Sequence, residues 1–365
     1  MFVKERIVFD DDTTIDNFRK IENYIKPYWI TKREYRDHEQ KKEFELKKHC
    51  EEFHSNTSRL PAEAAKRLGI RKQGYIGLRD VAESPYLYGC DVSVNALVKK
   101  DYQDKWPDAG SKSTLAVLDY ETDVVNGTER IISGAISQKE KAFLSVTADF
   151  IQMSKEDLTY EIDVQLRKLK LPDGRSVKEL LEERNINIEL DVVKDDFEVT
   201  RGCIGKAHEW GPDFVGIWNS PFDIGKMEDA CYHRSIDPKH LFSDPSVPAE
   251  YKSYDFRKEK ANKVTAEGKS TNKHHADLWH VLTAPAKFMV IDLMTLRRKM
   301  RMRDPYEPSY ALDAITKKEL DMGKLGIPEA DHLDGLEWHI FMQRYHKVEY
   351  ICLLYTSDAA DEAKC

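Results

Sequence analysis

No stretch of this chain approaches the roughly 18 to 20 consecutive apolar residues that span a bilayer, and its opening, MFVKERIVFDDD, has no apolar core of the signal-peptide kind. A cytoplasmic protein without a membrane partner is expected. Cysteine is sparse: the six residues Cys50, Cys90, Cys203, Cys231, Cys352 and Cys365 include no Cys-x-x-Cys pair. That argues against a zinc knuckle or a disulfide framework and for reduced, mostly buried thiols. There is no Gly-x-Gly-x-x-Gly and no phosphate-cradling loop, which removes nucleotide-binding folds of those types. Positive charge is short as well. A formal net charge of −8 argues against a protein that coats nucleic acid by charge alone, although it leaves room for a site that grips locally.

What is present is the composition of a soluble globular protein: 41% hydrophobic, 33% charged and 10% aromatic residues over 365 positions, enough for two domains. Residues 1–112 are polar and aromatic-rich and read as a small mixed α+β domain, with a charged stretch from Arg33 to Glu52 expected as a solvated helix or loop. The texture changes at Ser113. TLAVLDYET, RIISGAIS and KAFLSVT read as a three-strand meander, followed by helices over Lys155–Leu169 and VKELLEER and a possible edge strand in INIELDVV. A helix over DDFEVTRGCIGKAHEW leads into the strand DFVGIWN. Beyond it come a long irregular insert, the strand KFMVID, a basic helix LMTLRRKMRMR and a helix YALDAITKKELDM. Strands first in meander and then alternating with helices indicate an α/β domain with a mixed sheet.

Two acidic constellations end apolar strands. Asp119 and Glu121 stand at i and i+2, so both carboxylates leave the strand on one face. Two acids in one place repel unless a cation neutralises them, although an isolated Asp-x-Glu most often marks a solvated strand edge. Asn219-Ser220-Pro221-Phe222-Asp223 follows the second strand and can set a third carboxylate beside the first two. LDYET and NSPFD resemble the first and second exonuclease motifs of proofreading polymerases, Asp-x-Glu and Asn-x-x-x-Asp. SYALDAITKKELDMGKLG is similar to a helix of family B DNA polymerases that precedes their third exonuclease motif. The resemblance covers about residues 113–350 and points to family B DNA polymerases of the phage kind. It implies a ribonuclease H-like 3′→5′ proofreading exonuclease domain in which Asp119, Glu121 and Asp223 bind two Mg²⁺ or Mn²⁺ ions. Asn219 and Phe222 would hold an unpaired DNA 3′ end. It further implies attached palm, fingers and thumb domains, and a sliding clamp as a further partner.

The pattern breaks near the end. The third motif of the family is Tyr-x-x-x-Asp, and Tyr345 with Glu349 has that spacing with Glu in place of Asp. The tail LLYTSDAADEAKC reads as translated adapter sequence, so residues 351–365 are expected to be non-native and the chain truncated. The palm motifs Asp-x-x-Ser-Leu-Tyr-Pro and Asp-Thr-Asp are missing, which excludes primer extension by this chain. Two other features have plainer readings. Arg297, Arg298, Lys299, Arg301 and Arg303 suit DNA phosphates or a solvated helix face, and His274, His275, Asp277 and His280 form a metal-ligand set without a supporting pattern. Two alternatives stand beside the proofreading domain: a catalytically inactive nucleic-acid-binding fragment and a stand-alone exonuclease of the same fold.

Overall fold

The computed structural model describes residues 1–11, 13–36, 47–171, 174–264, 268, 270–320, 328–330, 332–333 and 335–351. The chain divides into two compact units, Met1–Ser111 and Lys112–Cys365. The first contains an antiparallel hairpin, Phe2–Val8 with Thr14–Lys20, and a three-stranded sheet in the order Cys50–Asn56, Ile25–Thr31, Leu87–Tyr88. Its core gathers Tyr28 and Ile30 from the central strand, Leu60 and Ala64 from the helix Leu60–Leu68, and Val81. Pro61 opens that helix, and Gly69 closes it in the left-handed conformation at φ 75°, the geometry that suits each residue best. The charged stretch differs from its expectation at its end: residues 50–52 belong to a strand paired with Trp29–Thr31, while residues 37–46 lie outside the described set.

The second unit is built on a six-stranded mixed sheet. Its strands are β1 (Leu115–Thr122), β2 (Ile131–Gln138), β3 (Lys141–Thr147), β4 (Asn187–Val193), β5 (Phe214–Ile217) and β6 (Met289–Asp292). Their order across the sheet is β6-β5-β1-β2-β3-β4. The meander β1-β2-β3 is antiparallel, β4 joins β3 in parallel, and β5 and β6 extend the other side parallel to β1. The helices are α1 (Lys155–Lys168), α2 (Val177–Glu183), α3 (Asp196–Trp210), α4 (Ser220–His233), α5 (Leu293–Met300), α6 (Leu312–Leu320) and α7 (Gly335–Tyr345). The expected meander, edge strand and helices are therefore present, within an α/β architecture.

Alternation along β1 decides what each face does. Ala116, Leu118 and Tyr120 are buried in a core shared with Val199, Cys203 and Ile204 of α3 and Ile224 and Met227 of α4. Val117, Asp119 and Glu121 emerge half-buried on the opposite face. That second face carries its own core, where Leu144, Val146 and Leu190 pack against Leu158 and Ile162 of α1, Leu181 of α2 and Met342 of α7. Cys90, Cys203 and Cys231 are buried and Cys50 is half-buried, none of them in a disulfide; Cys352 and Cys365 lie outside the described residues. The insert read as irregular contains two short antiparallel pairings, Asp255–Arg257 with Val281–Thr283 and Asn262–Val264 with Ser270–Asn272. Strands of three residues are too short for a period of two to show.

Tyr120 fixes one position strictly. Its ring lies against Gly134, directly across the β1-β2 ladder, where an added Cβ would meet ring atoms at 2.5 Å. We expect Gly134→Ala to lower the unfolding free energy by about 2 kcal/mol through overpacking, measured as a shift in the urea midpoint. An unchanged midpoint would mean that Tyr120 has room to move.

Candidate active site: a carboxylate cluster at the strand ends

Because β1, β5 and β6 are parallel, their carboxyl ends lie on one edge of the sheet, and each delivers an acid there. The chain leaves β1 toward β2 on one side and later returns to β5 on the other. This places the cluster where the strand order reverses, the usual position of sites in open α/β sheets. Asp119 and Glu121 come from the end of β1, where the register against β2 shifts between Glu121 and Thr122. Such an irregularity re-aims neighbouring side chains.

After β5 the chain turns sharply through Asn219, in the left-handed conformation at φ 61° and ψ 53°, and enters α4 with Pro221 in its first turn. Asn is among the few residues that accept this conformation readily. Asp292, the last residue of β6, fixes the turn. One of its carboxylate oxygens accepts hydrogen bonds from the Ser220 backbone N–H (2.8 Å) and Oγ (2.9 Å); the other caps α5 by accepting from the Thr295 N–H (2.9 Å). Asp223, one turn into α4, is then held buried at 3% exposure.

Burial raises the pKa of Asp223 well above the usual carboxylate range, and the negative charges of Asp119, Glu121 and then Asp292 push it further. The structure thus brings the three sequence-predicted carboxylates into mutual electrostatic contact and adds Asp292. The signal that could have exposed Asp292 is its place as the last residue of a third apolar strand, matching the acids on the other two.

Tyr345 is 68% exposed with its ring near Phe341, and Glu349 lies 3.6 Å from His346. Tyr350 reaches the cluster instead. Its hydroxyl donates to Glu121 Oε2 and accepts from Gln343 Nε2 at 3.2 Å. With the phenolic proton committed to Glu121, the 2.8 Å contact from His339 Nδ1 requires that nitrogen to carry its own proton. Burial and the Glu121 carboxylate hold the phenol far above its ordinary pKa, so it remains a donor. Gln343 also donates to the Thr122 carbonyl (2.8 Å) and accepts from the Val124 N–H (3.2 Å), tying α7 to the end of β1.

Against models of known protein families and against curated proteins, the chain has no match. The site's reading therefore rests on its own chemistry. Carboxylate oxygens are the donors that hard divalent cations prefer, and a buried aspartate raised by its acidic neighbours gains most from a cation. By type, these are donors that such an ion takes. Among the described residues, however, no group of three His, Cys, Asp or Glu side chains is close enough to hold a metal as it stands, so side-chain rotation would have to close the shell.

Phe222 is 48% exposed rather than buried in the core, with Lys226 Nζ 5.5 Å from the ring centre, and Asn219 is also exposed. The other candidate features have structural employment. Asp277 is bound by Arg298 (3.3 Å) and the Tyr306 hydroxyl (2.5 Å), while the His274 ring stacks on Tyr306 and lies tilted against His275. In the basic helix, Arg297 pairs with Glu307 (2.9 Å) and Glu319 (2.7 Å). Hydrogen bonds from Arg301 and Arg297 pull the Glu319 carboxyl down to about 2.

The raised Asp223 pKa has a stability consequence. Between the ordinary carboxylate pKa and the raised one, the folded chain keeps a proton that the unfolded chain has released, so stability falls as pH rises through that window. In buffer free of divalent cations, the urea midpoint of the wild type is expected to fall as pH rises above the ordinary carboxylate range, and that of Asp223→Asn to fall less. Equal slopes would show that Asp223 ionises as an ordinary surface acid.

Proposed function

We propose that residues 113–350 are the 3′→5′ proofreading exonuclease domain, ribonuclease H-like in fold, of a family B DNA polymerase. The observation that carries this reading is the convergence of Asp119, Glu121 and Asp223 on one strand edge, with Tyr350 bonded to Glu121. Support for the fold comes from the antiparallel meander, extended beyond its first strand by β5 and then β6 in parallel, each ending at an acid or leading into one. The substrate is the 3′ end of a single or mismatched DNA strand, and the product a nucleoside 5′-monophosphate.

Asp119, Glu121 and Asp223 would hold the Mg²⁺ or Mn²⁺ ions, and Asp292 keeps the Ser220 turn in place so that Asp223 is presented correctly. Bound ions would lower the pKa of a water and neutralise charge on the departing 3′ oxygen. Tyr350 orients Glu121 and, with its proton held, offers a fixed polar group beside the position of the attacking water. Phe222 presents an exposed ring on which an unpaired base can stack, and Asn219 a free amide at the same turn. Release of the terminal nucleotide is favoured at a mismatch because unpairing costs less there. The palm, fingers and thumb domains and a sliding clamp belong to this proposal as partners of the intact polymerase.

One observation favours a second reading, metal-independent binding of single strands: among the described residues no three ligands stand ready for an ion. The position four residues beyond Tyr350, where the family motif has Asp, is Leu354, outside the described residues. The two readings separate in one assay. With Mn²⁺ and a 3′-mismatched primer, the exonuclease reading expects release of nucleoside monophosphate that Asp119→Ala abolishes and Tyr350→Phe lowers by about ten- to a hundredfold. Strand binding without any release, unchanged by chelator, would establish the binding fragment instead.

A further inference from the structure

A cavity of about 410 Å³ opens beside the end of β1 and is separate from the carboxylate cluster. Its volume lies in the range of small-molecule sites. The floor is formed by buried parts of the sheet and its flanking helices, including Ile131, Thr147, Asp196 and Gln343, and the mouth by exposed cations.

By formal count its acids and bases balance, but their hydrogen-bonding capacity does not. Three of its four aspartates are already engaged by the protein. Asp123 accepts from the Asn126 N–H and side-chain amide and from the Thr128 hydroxyl; Asp195 pairs with Arg234 and caps α3; Asp196 is 2.8 Å from His233 Nδ1. Their lone pairs face donors that belong to the fold. The mouth presents the opposite condition. Arg130, Lys194 and Arg344 come from three separate elements, the approach to β2, the end of β4 and α7, and their side chains have no partner among the described residues. Two unused guanidinium forks and an ammonium around one opening offer donors that only an added acceptor can use, and the planar fork suits phosphate oxygens in particular. Asp149, the remaining free carboxylate of the lining, leaves these cations in excess.

We propose that this cavity is a nucleoside monophosphate site, with Arg130 and Arg344 holding the phosphate and the sugar and base lying against the apolar part of the lining, Val125, Ile131, Ile132 and Phe150. Gln343 forms part of its wall and reaches Tyr350 on its other side, so the occupant sits one side chain from the Tyr350–Glu121 pair. The assignment does not depend on the carboxylate cluster being catalytic.

The test is calorimetric titration of the full chain with deoxyadenosine 5′-monophosphate, with deoxyadenosine and with inorganic phosphate, repeated on Arg130→Gln/Arg344→Gln and on Asp119→Ala. Both arginines are exposed, so the double variant should fold, and its melting curve checks this. The expected result is binding of the monophosphate, weakened at least about tenfold in the arginine variant, unchanged in Asp119→Ala, and absent for the nucleoside. No binding, or binding indifferent to the two arginines, overturns the site. Binding lost in Asp119→Ala assigns the ligand to the carboxylate cluster and likewise overturns it. Nucleoside or inorganic phosphate binding as tightly as the monophosphate refutes the ligand class.

Discussion

Like charges forced together in a half-buried place must be held there by the rest of the fold, and the carboxylates of Asp119, Glu121, Asp223 and Asp292 are in that position. Three features of the backbone deliver them. Pleat alternation puts Asp119 and Glu121 on one face of β1, the left-handed turn at Asn219 directs α4 inward with Asp223 buried in its first turn, and parallel pairing brings the end of β6 alongside. Both oxygens of Asp292 are occupied by donors from the protein, so its charge serves the architecture. The repulsion falls mainly on Asp223, the most deeply buried of the three remaining acids, and appears as its raised pKa. The cost is concentrated at one strand edge, where open sheets place their ligands, and a cation there would relieve it.

The surroundings divide into groups that serve the fold and groups left available. The arginines that look poised for phosphates in the sequence are largely consumed. Arg297 and Arg301 bind Glu319, and Lys318 and Arg297 bind Glu307, which fastens α6 and the preceding loop onto α5. The helix that carries the family resemblance therefore has a local physical role through Glu319. Phe222 and Asn219, by contrast, remain exposed next to a buried acid.

Much of this was legible from residues alone. The meander announced itself through runs of apolar residues with short polar turns, and the pair Asp119 and Glu121 through its spacing on a strand, because both patterns are local. What depends on distant partners was not legible. The spacing of Tyr345 and Glu349 draws attention away from Tyr350, yet residues 335–345 are helical, which turns Tyr345 outward, and the chain re-enters helical backbone at 347–351 with Tyr350 and Ile351 buried. Gln343, 2% exposed and bonded both to β1 and to Tyr350, carries no motif and is recognised only once α7 is seen against the sheet. The pairings inside the insert were hidden for another reason, since three-residue strands lack a readable period.

The central claim is that the cluster exists to hold divalent cations, and the most direct measurement is the paramagnetic resonance signal of free Mn²⁺ titrated into the chain at neutral pH. The account predicts that the wild type removes Mn²⁺ from the free pool and that Asp119→Ala and Asp223→Asn each reduce the amount bound. A free-Mn²⁺ signal that matches buffer at every addition, or an equal uptake by all three proteins, would contradict it.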